Sequence, residues 1–304
     1  MEIFKSDINF DFVGKRKLAL ILSLVLLTIG IVSLVVKGGP AYGIDFAGGT
    51  LVQIKFTETT SAAQLRATLE DLDLHGLTIQ QVGDDAANEF MVRAQDSGEN
   101  LENLAAKIST ALTKDYGAGK AEIRRTEMVG PQVGKDLRNK GIQAIFFAII
   151  GMLAYITFRF EFRFGAGAVI ALLHDVLITL GLMSLLNLEI DLTVVAGFLA
   201  LVGYSVNDTV IVCDRIRENL GKLHNQSLAH IINRSINETL SRTVMTSGLT
   251  LLSVLALFVF GGSVIHNFSF VLLAGIIVGT YSSIFIASPV ILIWESYRAG
   301  RKAA

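Results

Sequence analysis

Apolar residues gather into six long runs along this chain: Leu18 to Val36, Gly141 to Phe158, Phe164 to Leu186, Leu192 to Cys213, Val244 to Gly261 and Phe268 to Trp294. Each is near the length of roughly 20 residues with which an α-helix crosses a hydrocarbon core of about 30 Å. The pattern predicts a polytopic α-helical membrane protein with six transmembrane helices. The first run follows Lys15, Arg16 and Lys17, as a signal peptide would, but it has spanning length and no A-x-A-like site after it. It reads as a retained anchor.

Between the first and second runs the periodicity changes. Thr50 to Phe56 alternates as a half-buried strand does, with Val52, Ile54 and Phe56 on one side. Thr60 or Ser61 can cap a helix reaching about Leu74, with Leu65, Leu69 and Leu72 on one stripe. Leu77 to Val82 and Glu89 to Ala94 read as strands joined by the turn-rich GDDAAN, Asn100 to Tyr116 as a second amphipathic helix, and Ala121 to Met128 as a last strand. The order β-α-β-β-α-β predicts a ferredoxin-like α+β domain, a fold that hosts many functions and specifies none. His75 stands alone and reads as a loop residue rather than a metal ligand.

Short-loop charges orient the helices. Arg159 and Arg163 lie between helices two and three, and Arg215, Arg217, Lys222, Arg234 and Arg242 between four and five. Arg298, Arg301 and Lys302 follow helix six, whereas Asn187 to Asp191 and the loop Gly262 to Asn267 carry no Lys or Arg. Positive-inside bias then puts both termini in the cytoplasm and the sheet domain outside it. Lys135, Arg138 and Lys140 pull the other way, but they end a segment longer than the roughly 60 residues over which the rule holds. The expected division is a cytoplasmic N-terminus (1–17), a first helix (18–36), the external domain with its linker (37–140), helices two to six (141–294) with a cytoplasmic loop at 214–242, and a cytoplasmic C-terminus (295–304). Within that loop Asp214 to Glu238 reads as an amphipathic helix lying along the membrane, with Ile231, Ile232 and Ile236 apolar among polar neighbours.

Composition agrees with a membrane protein. The 304 residues are 52% hydrophobic and 17% charged, against about 45–50% and about 25% in soluble domains. A net charge of −1 suggests no nucleic-acid partner, and a single cysteine, Cys213, permits no internal disulfide. No nucleotide loop, nucleophile triad or metal-ligand spacing is visible, so the chain reads as a non-enzyme needing no cofactor. An intramembrane aspartyl protease would use two carboxylates such as Asp175 and Asp208, but no GxGD segment is present.

Polar residues inside the apolar runs are the candidate chemistry, because an Asp at the bilayer centre costs about 2.5–3.5 kcal/mol on insertion scales. Asp208 follows Asn207 on helix four, about a turn and a half from the cytoplasmic end, with Tyr204 one turn before it; Asn207 and Asp208, with Arg242, are the expected proton-coupling residues. Asp208 reads either as a proton-binding carboxylate in a hydrated cavity or as the partner of Arg215 in a helix-terminal ion pair. Arg242 opens helix five at comparable depth, as a positive-inside anchor or as a partner of Asp208. Thr239, Ser241, Thr243, Thr246, Ser247 and Thr250 crowd the same entry and suit either helix packing or a polar path. His174 and Asp175 sit at the middle of helix three with the composition of a proton relay. Adjacent residues point about 100° apart on a helix, however, so hydrogen bonding to another helix is the competing role. Gly275 and Gly279 on helix six, and Gly197, Ala200 and Gly203 on helix four, read as packing sites. In YGIDFAGGT, Gly43, Gly48 and Gly49 permit tight backbone geometry and Asp45 can pin the turn, which makes the segment a hinge under the external domain.

Four segments, YGIDFAGGT, LLHDVLITLG, GYSVNDTVIVCDRIREN and NETLSRTVMTSGLTLL, together resemble the SecF family of the bacterial Sec protein-export machinery, which belongs to the RND transporter superfamily. The likeness extends over nearly the whole chain. It implies an RND-type half whose other half is SecD, working with the SecYEG translocon, SecA, a YidC-type insertase and a preprotein in the bacterial inner membrane. It implies that Asp208 is linked to proton passage, with protons as the coupling ion, that Arg242 is the cation at the same interface, and that GIDFAGG is the joint under the external domain. The outer stretch GGSVIHNF lacks the carboxylate some relatives have, so His266 and Asn267 receive no role. Two other functions compete: a structural subunit stabilising a translocon or insertase, and an RND-type half-transporter for small molecules or lipids.

Overall fold

A computed structural model describes residues 9–72, 74, 77–82, 88–94, 104–223 and 225–303. His75, most of the GDDAAN turn and the expected start of the second domain helix lie outside the described residues, as do the side chains of Arg298, Arg301 and Lys302. Elements run in the order α1 (Arg16–Val36), α2 (Ile44–Ala47), β1 (Gly49–Phe56), α3 (Ala62–Glu70), β2 (Thr78–Val82), β3 (Glu89–Ala94), α4 (Leu104–Tyr116) and β4 (Ala121–Val129). There follow α5 (Pro131–Arg159), α6 (Phe162–Leu185), α7 (Leu192–Lys222), α8 (Leu228–Phe260), α9 (Gly262–Ser282), a π turn (Ser283–Ala287) and α10 (Ser288–Ala303). Six of the described helices are long and apolar enough to span a bilayer, with α9, the π turn and the start of α10 acting as one.

The domain between α1 and α5 is a four-stranded antiparallel sheet in the order β2-β3-β1-β4, the ferredoxin-like arrangement expected from the element order. Ser61, not Thr60, caps α3: its hydroxyl accepts from Gln64 N (3.2 Å) while the Gln64 side chain accepts from Ser61 N (3.1 Å). One sheet face buries Val52, Ile54, Phe90 and Val92 under Leu65, Leu69, Ile108 and Leu112 of α3 and α4. The other face is smaller. Leu51, Val82 and Met91 close onto Ile44 of α2, so the domain lands on the bundle through its open face.

In the bundle, α6, α7 and α9 supply most of the buried positions and α1, α5 and α8 few. Glycines set the closest approaches. A Cβ on Gly30 would stand 2.8 Å from Gly181 Cα, so α1 crosses α6 backbone to backbone. A Cβ on Gly275 would stand 2.4 Å from Leu201 Cδ1, and Gly279 faces Ser205 in the same way, so α9 lies tight along α7.

The structure corrects several expected boundaries, and at α5, α7 and α8 the reason is shared: charge ends an apolar span without ending a helix. Asp214 to Glu238 is not a separate helix along the membrane. Asp214 to Lys222 continues α7, and Leu228 to Glu238 opens α8. At 1.5 Å per residue these helices of 31 and 33 residues are about 46 and 50 Å long, well beyond an apolar core of about 30 Å. Arg215–Glu218, Lys222–Glu218 and Arg234–Glu238 pairs at helical spacing support the projecting turns. Likewise α5 starts at Pro131 rather than Gly141, so Lys135, Arg138 and Lys140 are helical. Gly262 to Asn267 is no loop: Gly262, at φ +72°, turns the chain and opens α9 directly. The first domain helix stops at Glu70, short of Leu74.

Candidate functional site

Asp208 is 1% exposed, inside the packing of α7, α8 and α9. Its Oδ2 accepts from Ser247 Oγ at 2.7 Å. Thr280 has one hydroxyl proton to give, and its Oγ1 lies 3.0 Å from Ser247 Oγ and 3.4 Å from Asp208 Oδ2, so Ser247 is its better acceptor. The second carboxyl oxygen, Oδ1, is buried with no protein partner, as is Thr243 Oγ1 on the neighbouring helix and Tyr204 Oη one turn earlier on α7.

Arg215 does not pair with Asp208. Its guanidinium reaches Glu238 (2.6 Å) and Glu218 (2.5 Å), and Glu238 is held in turn by Asn219 (2.8 Å) and Arg234 (2.8 Å). Nor does Arg242 form an ion pair with Asp208: among the described residues it makes none, and its side chain is exposed. Arg242 stands five residues before Ser247 on α8, about 7 Å along the axis from the level of Asp208. It lines a cavity of about 520 Å³ that also touches Tyr155, Arg159, Asp214, Arg215 and Glu238. The cavity thus brings polar groups to within about a turn and a half of the buried carboxyl. Asn207 points away from Asp208. It is exposed and without a hydrogen-bond partner among the described residues, in line with exposed Gly203, Ala200 and Ala196 on one flank of α7. The hydroxyl-rich entry of α8 divides: Thr239, Thr246 and Thr250 bond carbonyls of their own helix, and Ser247 alone reaches Asp208.

The second carboxyl, Asp175 on α6, is fully buried and fully engaged. His174 Nδ1 lies 2.9 Å from Oδ1, so these adjacent side chains do meet despite their angular separation; the carboxyl branch spans the gap. Oδ2 accepts from Ser205 on α7 (2.6 Å) and Ser282 on α9 (2.7 Å). His174 also stacks on Tyr281, whose hydroxyl donates to Ala19 O on α1 (2.6 Å), and its Nε2 is buried without a partner. Thr209 and Ser283 share a hydrogen bond (2.8 Å) beside it. A Cβ on Gly279 would lie 3.1 Å from Ser205 Cβ and 3.5 Å from Asp175 Oδ2, so glycine lets α9 reach both carboxyls. Thr280 faces Asp208, Ser282 faces Asp175, and the π turn follows at once. Such local widenings of a helix recur at functional sites. Ser205, Thr280 and Ser282 were not singled out from the sequence. The one signal for Thr280 and Ser282 was the hydroxyl cluster Thr280-Tyr281-Ser282-Ser283 within an apolar span.

The residues expected to form the hinge meet at the opposite end. Gly48 and Gly49 have φ of +76° and +123°, and a Cβ on Gly48 would stand 2.9 Å from Pro131 Cα. Gly43 has an ordinary φ of −70°; its lack of a side chain admits Asp191, whose Cβ a methyl there would meet at 3.3 Å. Asp45 Oδ2 accepts from Leu192 N (2.9 Å) and so caps α7. Asn267, to which no role was given, donates to Glu189 O (3.0 Å), and His266 stacks on Phe258. Among the described residues no three His, Cys, Asp or Glu side chains are placed to hold a metal ion.

A family profile described as protein export membrane protein SecD/SecF, C-terminal, matches residues 108–297, and one for the SecD/SecF GG motif matches residues 32–60, which hold the hinge. The chain is 45% identical over 301 residues to the protein translocase subunit SecF of Calditerrivibrio nitroreducens, covering 98% of both chains. It is 45% identical to that of Magnetococcus marinus, covering 97% of this chain and 95% of the other. Among solved structures, SecDF from Thermus thermophilus, a translocon-associated membrane protein, superposes with a TM-score of 0.86 at 35% identity, and SecDF in a super-membrane-facing form with 0.71 at 35%. These superpositions cover 97% and 99% of this chain but 40% and 41% of the SecDF chains. Motif, helix pattern, sheet domain and near-complete alignment agree: the chain belongs to the SecD/SecF family of protein export membrane proteins, on its SecF side.

Proposed function

We propose that this chain is the SecF-type subunit of a Sec protein translocase, pairing with SecD and using proton movement at Asp208 to promote preprotein translocation across the bacterial inner membrane. The observation that carries the reading is Asp208 itself: a buried carboxyl with one oxygen held by Ser247 and the other without a partner, and no cation within ion-pair distance. A proton can bind that second oxygen, and binding changes the net charge of an apolar interior, where charge is most costly. The Arg242 cavity opens polar space from the basic end to within about a turn and a half of that carboxyl. The exposed flank of Asn207, Gly203, Arg242 and Thr246 suits close approach by a second membrane subunit, since small residues admit a helix and polar ones bond across it. The match covers 40% of the SecDF chain, which supports SecD as the counterpart to this region. SecYEG, with SecA and a YidC-type insertase, would be the machinery this pair serves, and both termini would face the cytoplasm.

Co-purification with SecD, run beside an export assay, tests the reading. Asp208→Asn is expected to assemble normally and to lose the response of export to the proton gradient. Arg242→Ala is expected to weaken that response while leaving Ser247 on Asp208. A well-assembled Asp208→Asn complex that still responds fully would leave only the structural role.

A further inference from the structure

The helix carrying Asp175 and the helix carrying Asp208 are joined by six residues, 186–191, between Leu185 and Leu192. This short segment lies where the bundle meets the sheet domain, and neighbours hold it on every side. Ile190 forms a parallel bridge with Tyr42 of the hinge, through Gly43 N to Ile190 O (2.9 Å) and Ile190 N to Ala41 O (2.8 Å). Asp45 caps the first turn of α7 beyond it, and Asn267 of α9 holds Glu189 O. From the domain, Arg93 on β3 forms an ion pair with the Glu189 side chain.

That pair differs from the others in the domain. Lys120–Glu58, Arg124–Glu122, Arg125–Glu127 and Lys55–Glu89 each join two residues of the domain, and Lys120, Arg124 and Glu58 lie well exposed. Arg93–Glu189 is the ion pair among the described residues that joins domain to bundle, and its side chains are 22% and 24% exposed. Burial pushes the Arg93 guanidinium below its usual value, and the Asp191 and Asp45 carboxylates oppose that shift. One cation therefore pairs with Glu189 within electrostatic reach of the Asp45 and Asp191 carboxylates. Beside it the contact is apolar and undirected, Leu51, Val82 and Met91 on Ile44. An apolar patch of this kind permits rocking, whereas a half-buried ion pair fixes one edge. On the other side of the segment, Ser205 to Asp175 (2.6 Å) fastens α6 to α7, so the two helices carry it as a unit.

We propose that the 186–191 segment is the lever that passes movement of α6 and α7 to the sheet domain, and that Arg93, through Glu189, is the positioning residue that ties the domain to it. The proposal rests on the reading of Asp208 as the proton-binding group for what drives the lever, but not for the tie itself.

The test uses the full chain with SecD in lipid nanodiscs, spin-labelled at Lys107→Cys on exposed α4 and Val36→Cys at the end of α1, with buried Cys213 left in place. Pulsed electron–electron distance measurement should give a narrow distribution that shifts when Asp208→Asn is introduced. Arg93→Gln, and independently Glu189→Gln, should broaden it about two-fold and abolish the shift. The swap Arg93→Glu with Glu189→Arg should restore the wild-type width. An unchanged width in either folded single variant, or a swap no narrower than the singles, overturns the tie. If the otherwise unaltered complex shows no shift with Asp208→Asn, the proton-coupling reading fails instead, and the widths alone decide the tie.

Discussion

Asp175 and Asp208 occupy adjacent helices of the same apolar bundle, both essentially out of reach of solvent, and both bond a hydroxyl of α9 or its neighbour. Asp175 has every lone-pair direction it needs supplied from outside its own backbone: His174, Ser205 and Ser282 close on its two oxygens. Asp208 has Ser247 on one oxygen and nothing on the other. A completed network fixes the helices that contribute to it, because removing any member strands the rest. An uncompleted one can accept a proton without first breaking a bond. Sequence context alone separates them less clearly: Asp208 leads as the proton-binding candidate, but Asp175 has a histidine beside it and lies nearer mid-span. The surroundings of Asp175 hold α6, α7 and α9 together, and those of Asp208 support the exchange role proposed for it.

The largest expected effect is on Asp175. Asp175→Ala leaves Ser205, Ser282 and His174 without their shared acceptor and opens a void, for a loss of about 3 kcal/mol or more. Detergent-solubilised protein should show a large fall in melting temperature and a poor folded yield; a wild-type melting curve would remove the distinction between the two sites. Asp208→Asn should cost about 1 kcal/mol or less, because the amide keeps an acceptor for Ser247 and places its NH2 where no bond existed. A fall as deep as that of Asp175→Ala would make Asp208 structural too. The smallest effect belongs to Arg215→Ala. Its pairs with Glu218 and Glu238 are partly exposed, worth about 0.5 kcal/mol each, and export should keep its response to the proton gradient. Loss of that response would revive a direct link between Arg215 and Asp208.

Much of the architecture was legible in the sequence, and the illegible parts share physical causes. The spans and the β-α-β-β-α-β order show because apolar periodicity extends over whole elements, as in Leu65, Leu69 and Ile108, Leu112. The projecting ends of α7 and α8 were hidden because Arg215, Glu218 and Lys222 mark where a bilayer ends, while the same charges at helical spacing prolong the helix. Asp208 is conspicuous, as any carboxylate among leucines and valines is. The partners are not: Ser247 and Thr280 beside Asp208, and Ser205 and Ser282 beside Asp175, are small hydroxyls that apolar helices also use for packing. The Arg93–Glu189 tie left no trace along the chain, since it exists only once the open sheet face has settled on Ile44. Nor could spacing tell that Asn207, next to Asp208, would face outward while Asp208 faces Ser247, although the 100° step of a helix separates them.

The most direct measurement is proton entry into sealed vesicles containing this chain with SecD, followed by a pH-sensitive dye inside while a membrane potential is imposed. The account predicts that the unaltered complex acidifies the vesicles, that Asp208→Asn abolishes this, and that folded Asp175→Asn complexes retain it. Continued acidification by Asp208→Asn, or its loss in well-folded Asp175→Asn alone, would contradict the assignment of the proton to Asp208.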